Sequence, residues 1–165
     1  MHNNRGSIIN KDVARQLREY KGIRYGNITP TDIDGFIEYH NNAYIFIELK
    51  LGNAVMSSGQ RLAFERLTDD LEYRKPTLFI IASHNAYDPN EDIDAANTSV
   101  TEYRLKGEWT QVSPELRLTT RNIIALFLDN LGTGVEPFLA RVHSPSTDFS
   151  QISLVDFMRG DPIGF

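Results

Sequence analysis

The chain contains no cysteine, which excludes both a disulfide framework and a thiolate-bound zinc. It has no apolar run near the roughly 20 residues that would cross a bilayer. Met1 to Gly6 is polar and the first apolar cluster is only Ile8 and Ile9, so no secretory leader is expected. Gly-X-Ser-X-Gly, P-loop and His-Glu-X-X-His patterns are missing, which leaves serine hydrolase, nucleotide-binding and zincin chemistry without support. Internal repeats, low-complexity stretches and linkers rich in Pro, Gly or Ser are missing too. For 165 residues, these exclusions predict one cytoplasmic domain over 1–165, with its own core and no membrane partner.

Positive charge is also in deficit. A net charge of −5 weighs against a nucleic-acid partner. The deficit is uneven, however. Residues 1–75 carry 11 Lys and Arg against 10 Asp and Glu, whereas residues 76–165 carry 6 against 12. Any phosphate-binding surface is therefore expected in the first half.

Asn10 can cap a helix ending at Gly22, with Val13, Leu17 and Tyr20 on one side and Lys11, Arg15 and Arg18 opposite. After the break at Asn27 to Pro30, Asp32 to Glu38 alternates as a strand does. His40-Asn41-Asn42 signals a turn, and Ala43 to Leu51 is a strand rich in β-branched and aromatic residues. Ser57 to Lys75 reads as a helix stopped by Pro76, with Ala63, Phe64, Leu67 and Leu71 as its apolar stripe. Thr77 to Ser83 is continuously apolar and fits a strand covered on both faces. An acidic loop, Tyr87 to Ala96, precedes a hairpin of Thr98–Leu105 and Trp109–Val112. Ser113-Pro114-Glu115 then opens a helix to about Leu131, and the chain from Thr133 is ambiguous. This order predicts an α/β or α+β fold, a mixed sheet flanked by helices, with a core over about 10–131 and an extension over about 132–165.

The unusual residues are charges set inside apolar strands. Glu48 and Lys50 interrupt Tyr44-Ile45-Phe46-Ile47-Glu48-Leu49-Lys50-Leu51 and, being two apart, share a face. Burying either charge alone costs several kcal/mol, on the order given for unpaired ions, so partners are required. Hairpin register decides whether the carboxylates of the preceding strand can serve. A three-residue loop at His40–Asn42 sets Asp34 opposite Glu48 and Asp32 opposite Lys50; a two-residue Asn41-Asn42 turn sends Asp34 and Glu48 to opposite faces. Facing carboxylates repel unless a proton or cation joins them, and oxygen ligands suit Mg²⁺ or Mn²⁺. Lys50 beside such a cation could orient water or neutralise developing phosphate charge.

With these residues the chain resembles the PD-(D/E)XK nuclease superfamily, in particular Holliday-junction-resolvase-like and RecB-type cores. The signature elements are Asp34 in Thr31-Asp32-Ile33-Asp34-Gly35-Phe36-Ile37, then Glu48-Leu49-Lys50, then the helix beginning near Gln60. The resemblance covers about residues 10–83, and no literal Pro-Asp pair occurs, Pro30 standing two positions before Asp32. It implies a restriction-endonuclease-like core hydrolysing DNA with Mg²⁺ or Mn²⁺. Asp34, Glu48 and the Leu49 carbonyl would hold the metal, Lys50 would be the catalytic lysine, and Gln60 would be a functional glutamine. Asp32 competes with Asp34 for the first acidic position, and Glu38 is a lesser candidate. Lys11, Arg15, Arg18 and Arg61 are the candidate DNA contacts, and a homodimer is compatible with this reading.

Plainer readings compete at each position. Asp34, Glu48 and Lys50 could be a solvated edge hairpin. Gln60 could complete a capping box with Ser57, and the basic stripe with Glu19 could be ordinary helix surface. Asp88 to Asp94 mimics a calcium loop but fails at Ile93 and Ser99, so solvated loop is expected. His84 follows an apolar strand, where a lone His is usually structural. A non-catalytic module of the same fold, binding nucleic acid or protein, is the functional rival.

Overall fold

The computed structural model describes residues 21–144 except 25, 89, 133 and 134. The helix expected over 10–22 therefore lies, up to residue 20, outside the described residues, together with Lys11, Arg15, Arg18 and Glu19; so does the chain from residue 145. The backbone divides into two units, 1–32 and 33–165. Among the described residues of the first, a 3-10 turn spans Lys21–Ile23, and Arg24 Nε donates to the Gly26 carbonyl at 2.7 Å.

The second unit is built on five strands: β1 (Gly35–Tyr39), β2 (Ala43–Leu51), β3 (Thr77–His84), β4 (Ser99–Leu105) and β5 (Glu108–Gln111), side by side in that order. β2 and β3 run parallel and the other pairs antiparallel. Parallel neighbours need a crossover, and α1 (Ser58–Glu72) supplies it. Two further helices, α2 (Thr120–Asp129) and α3 (Val135–Val142), follow the sheet. The architecture is α+β, with a mixed sheet and helices on both faces.

The two faces are packed differently. Ile45, Ile47, Leu78, Ile80, Tyr103 and Leu105 meet Ile123, Leu126, Phe127, Phe138 and Val142 of α2 and α3 in the main core. On the other face Phe46, Phe79 and Ile81 meet Phe64 of α1 and Met56 in a smaller cluster. Strand alternation explains the division for β2 and β3, and a bulge adjusts it in β4. There Ile81 pairs with Glu102 but Ala82 with Val100, leaving Thr101 as the extra residue.

The first hairpin takes the three-residue loop. Gly35 pairs with Ile47 and Tyr39 with Ala43, and the Asn42 amide donates to the Tyr39 carbonyl at 2.7 Å. His40 and Asn41 carry φ of 46° and 60°, a left-handed turn that Asn tolerates and His adopts at some steric cost.

Two expectations change. The helix placed from Ser113 begins at Thr120 instead, with Thr119 as its cap. Pro114–Leu116 forms only a 3-10 turn that ends at Arg117 with φ 48°. A reciprocal capping box between Thr119 and Asn122 then starts α2. Backbone bonds from Val100 to Leu118 and from Thr120 to Thr98 hold the intervening residues to β4. The apolar stripe of α1 is also rotated from the expected one. Phe64 and Thr68 are buried, whereas Ala63 is exposed and Leu67 is 37% exposed. Thr68 can face inward because its hydroxyl donates to the Phe64 carbonyl at 2.7 Å.

Candidate metal centre on the α1 face

Four of the residues singled out by the sequence meet on the sheet face that α1 covers. β2 brings Glu48 and Lys50 there by alternation with Phe46. The pairing of Phe36 with Phe46 continues, by the same register, to Asp34 opposite Glu48. Gly35 permits the close approach of β1, since a Cβ there would lie 3.2 Å from the Ile47 side chain. The Asp34 carboxylate takes over where the ladder stops: its Oδ2 accepts the Leu49 amide at 2.7 Å. In an extended strand the amide and carbonyl of one residue point to the same side, so the Leu49 carbonyl is directed toward β1 as well.

Ser57 caps α1, its hydroxyl accepting the Gln60 amide at 3.2 Å. The Gln60 side chain does not return to close a capping box. Its Nε2 donates to Glu48 Oε1 at 2.8 Å, and its Oε1 accepts from Lys50 Nζ at 3.3 Å. Lys50 Nζ also donates to the same Glu48 oxygen at 2.7 Å. Glu48, Lys50 and Gln60 therefore form a closed triangle of hydrogen bonds.

Glu48 is the residue on which the cluster turns. It is 4% exposed. One oxygen has two donors, while Oε2 is buried without any hydrogen-bond partner. Burial pushes its carboxyl up from the ordinary value, and the nearby charge of Asp34 acts in the same direction; hydrogen bonds from Lys50 and Gln60 oppose the rise. A buried carboxylate oxygen without a donor is costly, and a hard cation would meet that need without displacing Lys50. Among the described residues no three His, Asp or Glu side chains converge. A cation here would draw on Asp34, Glu48 and the Leu49 carbonyl. That sparse set fits Mg²⁺, which commonly keeps waters and uses one or two carboxylates.

Among the described residues, none of the other candidates shares a hydrogen bond with this cluster. Asp32 belongs to the first unit and is exposed. Glu38 accepts the Asn41 amide and so braces the hairpin loop. The Nδ1 of His84 accepts the Ala86 amide at 3.3 Å, a local bond after β3. The carboxylates of Asp88 and Asp94 accept from Asn90 and from Ala96 and Asn97, turning the acidic loop on itself. Arg61 is ion-paired with Glu102, and its guanidinium lies 4.1 Å above the Trp109 ring centroid.

Sequence reasoning missed Glu102, Arg104 and Trp109, which continue the polar surface under α1. Trp109 Nε1 donates to Glu65 at 2.7 Å, and Arg104 is buried with one ion pair, to Asp69 at 2.9 Å. A signal was present: Glu102-Tyr103-Arg104 repeats the acid–apolar–cation spacing of Glu48-Leu49-Lys50.

Comparison of the chain with protein-family models, curated proteins and solved structures returns no match. Among the described residues no helix is long and apolar enough to cross a membrane.

Proposed function

We propose that this protein is a Mg²⁺- or Mn²⁺-dependent deoxyribonuclease with a restriction-endonuclease-like core, related to the PD-(D/E)XK nucleases, and that it works in the cytoplasm. One observation carries the reading: Glu48 presents a buried, donor-free oxygen while its other oxygen anchors Lys50 and Gln60. A solvated edge hairpin would not bury that oxygen.

In this reading Asp34, Glu48 and the Leu49 carbonyl would hold the cation, which would supply Lewis-acid activation of a water and of the scissile phosphate. Lys50, fixed by Glu48 and Gln60, presents its ammonium to the phosphate oxygen on which charge develops. Gln60 helps hold the Lys50 ammonium through its Oε1 and lends no charge of its own. Water oxygen adds to phosphorus, the P–O ester bond breaks, and the proton passes to the departing oxygen. Lys11, Arg15 and Arg18 are the proposed phosphate contacts. Arg61 could join them only by exchanging Glu102 for a phosphate. A homodimer would let two such sites act on one duplex.

Cleavage of labelled DNA tests the proposal. Activity should require Mg²⁺ or Mn²⁺, stop in EDTA without loss of the folded state, and return on adding the metal. Lys50→Ala and Glu48→Ala should each lose about a hundredfold or more, the scale of removing a transition-state charge partner. A folded Lys50→Ala protein cutting as fast as the parent would sink the assignment. DNA binding without cleavage by any metal-loaded preparation would favour the non-catalytic module.

A further inference from the structure

At the other end of α1, about 18 Å from Gln60 by helical rise, lies a cavity of about 600 Å³. That is the size of a site for a drug-sized ligand, and its lining sets an apolar floor beside charged and polar side chains from the end of α1, the β4–β5 turn and Asn130. Leu105, Phe127, Leu131 and Phe138 supply the apolar surface, drawn from β4, α2, the turn after α2, and α3.

The charges at its wall and mouth do not cancel. Asp69 is paired with Arg104. Glu72 accepts the Lys106 amide at 2.8 Å; burial pushes its carboxyl up, and the backbone bonds from Lys106 and Gly107 oppose the rise. Lys75 is held by Asn41 and Tyr44. Arg74 and Lys106 also line the cavity, and their side chains have no ion-pair partner among the described residues. Lys106 is notable for its backbone. It occupies the first position of the two-residue turn between β4 and β5, with φ 50°, followed by Gly107 with φ 80°. Asn, Asp or Gly suits that left-handed position, yet a lysine stands there and places a cation at the rim.

We propose that this cavity binds a small amphipathic monoanion, an apolar or aromatic body bearing one carboxylate or sulfonate. The apolar floor takes the body, and Arg74 and Lys106 take the charged group. The carbonyl end of α1 faces this region, and its partial negative charge opposes an anion, so binding depends on Arg74 and Lys106 outweighing it. The inference is independent of the metal centre.

Isothermal titration of the full chain with octanoate, and separately with 1-octanol as its neutral counterpart, tests it. Octanoate should bind one-to-one and at least about tenfold more tightly than octanol. The double variant Arg74→Gln/Lys106→Gln, both at exposed positions, should bring octanoate down to the octanol level and leave octanol unchanged. Leu131→Asp, checked for folding by circular dichroism, should abolish both. Fluorescence of 8-anilinonaphthalene-1-sulfonate, displaced by octanoate, should report the same site. No saturable octanoate binding, equal affinity for octanol, or an unchanged double variant would each overturn the proposal.

Discussion

The two faces of the sheet are made by the same strands and do opposite things. Toward α2 and α3, the β-strand residues are Ile, Leu, Val, Ala and Tyr, and the facing helices answer with Ile123, Leu126, Phe127 and Phe138. Toward α1, charge enters the face: Glu48 and Lys50 follow Phe46 on β2, and Glu102 and Arg104 share the face on β4. Burial of apolar area is the dominant favourable contribution to folding, so the first face holds the unit together. The second face gives up part of that contribution to keep ionisable groups in fixed positions. Stability and candidate chemistry thus sit back to back, one strand thickness apart.

This contrast can be broken by substitution. The largest effect belongs to the apolar face: Phe138, 1% exposed and edge-on to Tyr103 and Phe127, should cost about 3–5 kcal/mol when cut to Ala. Urea unfolding measures the loss, and the Mn²⁺ affinity of the proposed site, measured on the folded fraction, should be unchanged. Any large fall in Mn²⁺ affinity would show that the faces are coupled.

Glu102→Ala, on the charged face, should cost less. Its partner Arg61 has a side chain one-third exposed and keeps its contact with Trp109. A loss of about 1–2 kcal/mol is expected, below the about 3–5 kcal/mol of a fully sealed pair. The same unfolding experiment applies; a loss as large as that of Phe138→Ala would erase the distinction between the faces.

The smallest effect is a slope. The Glu48 carboxyl holds its proton more tightly folded than unfolded, because burial raises its value above the ordinary 4.5. Its contribution to stability is therefore complete below about pH 4.5 and is lost as pH rises through the raised folded value. In EDTA, Glu48→Gln should flatten the decline in unfolding free energy above pH 4.5 relative to the parent. An identical pH profile in the two proteins would show that Glu48 is not strained by its surroundings.

Much of the sheet was legible because its signals are local. The β2 boundaries follow from Ala43 to Leu51, and β3 from the apolar run after Pro76. The arithmetic of the His40–Asn42 loop correctly linked its three-residue form to the facing of Asp34 and Glu48, although choosing that form required the fold. Gln60 could be read either as a cap or as a site partner, because the sequence does not show that Glu48 lies under the first turn of α1. The start of α2 was misread because Ser113-Pro114 is a good local opening, and pairing of Leu118 and Thr120 with β4 overrides it. The rotation of α1 was hidden by Thr68, a polar residue buried through a bond to its own helix. Glu102 and Arg104 escaped because a bulge at Thr101 interrupts the alternation that would have marked their face.

The place of Asp34 in the strand order has a kinetic consequence. β1 is a five-residue edge strand, whereas β2 lies between two neighbours and β3 is flanked on both sides as well. Edge and centre of a sheet open with different free energies, and amide exchange resolves them. The Leu49 amide, bonded to the Asp34 side chain rather than to a strand, should exchange faster than the amides of Phe79 and Ile80. Opening of β1 would remove Asp34 from the site while Glu48, Lys50 and Gln60 stay together. A cation bridging Asp34 and Glu48 would then bind only the closed form and slow that exchange in proportion to its concentration, tying the breathing of the sheet's edge to the loading of its charged face.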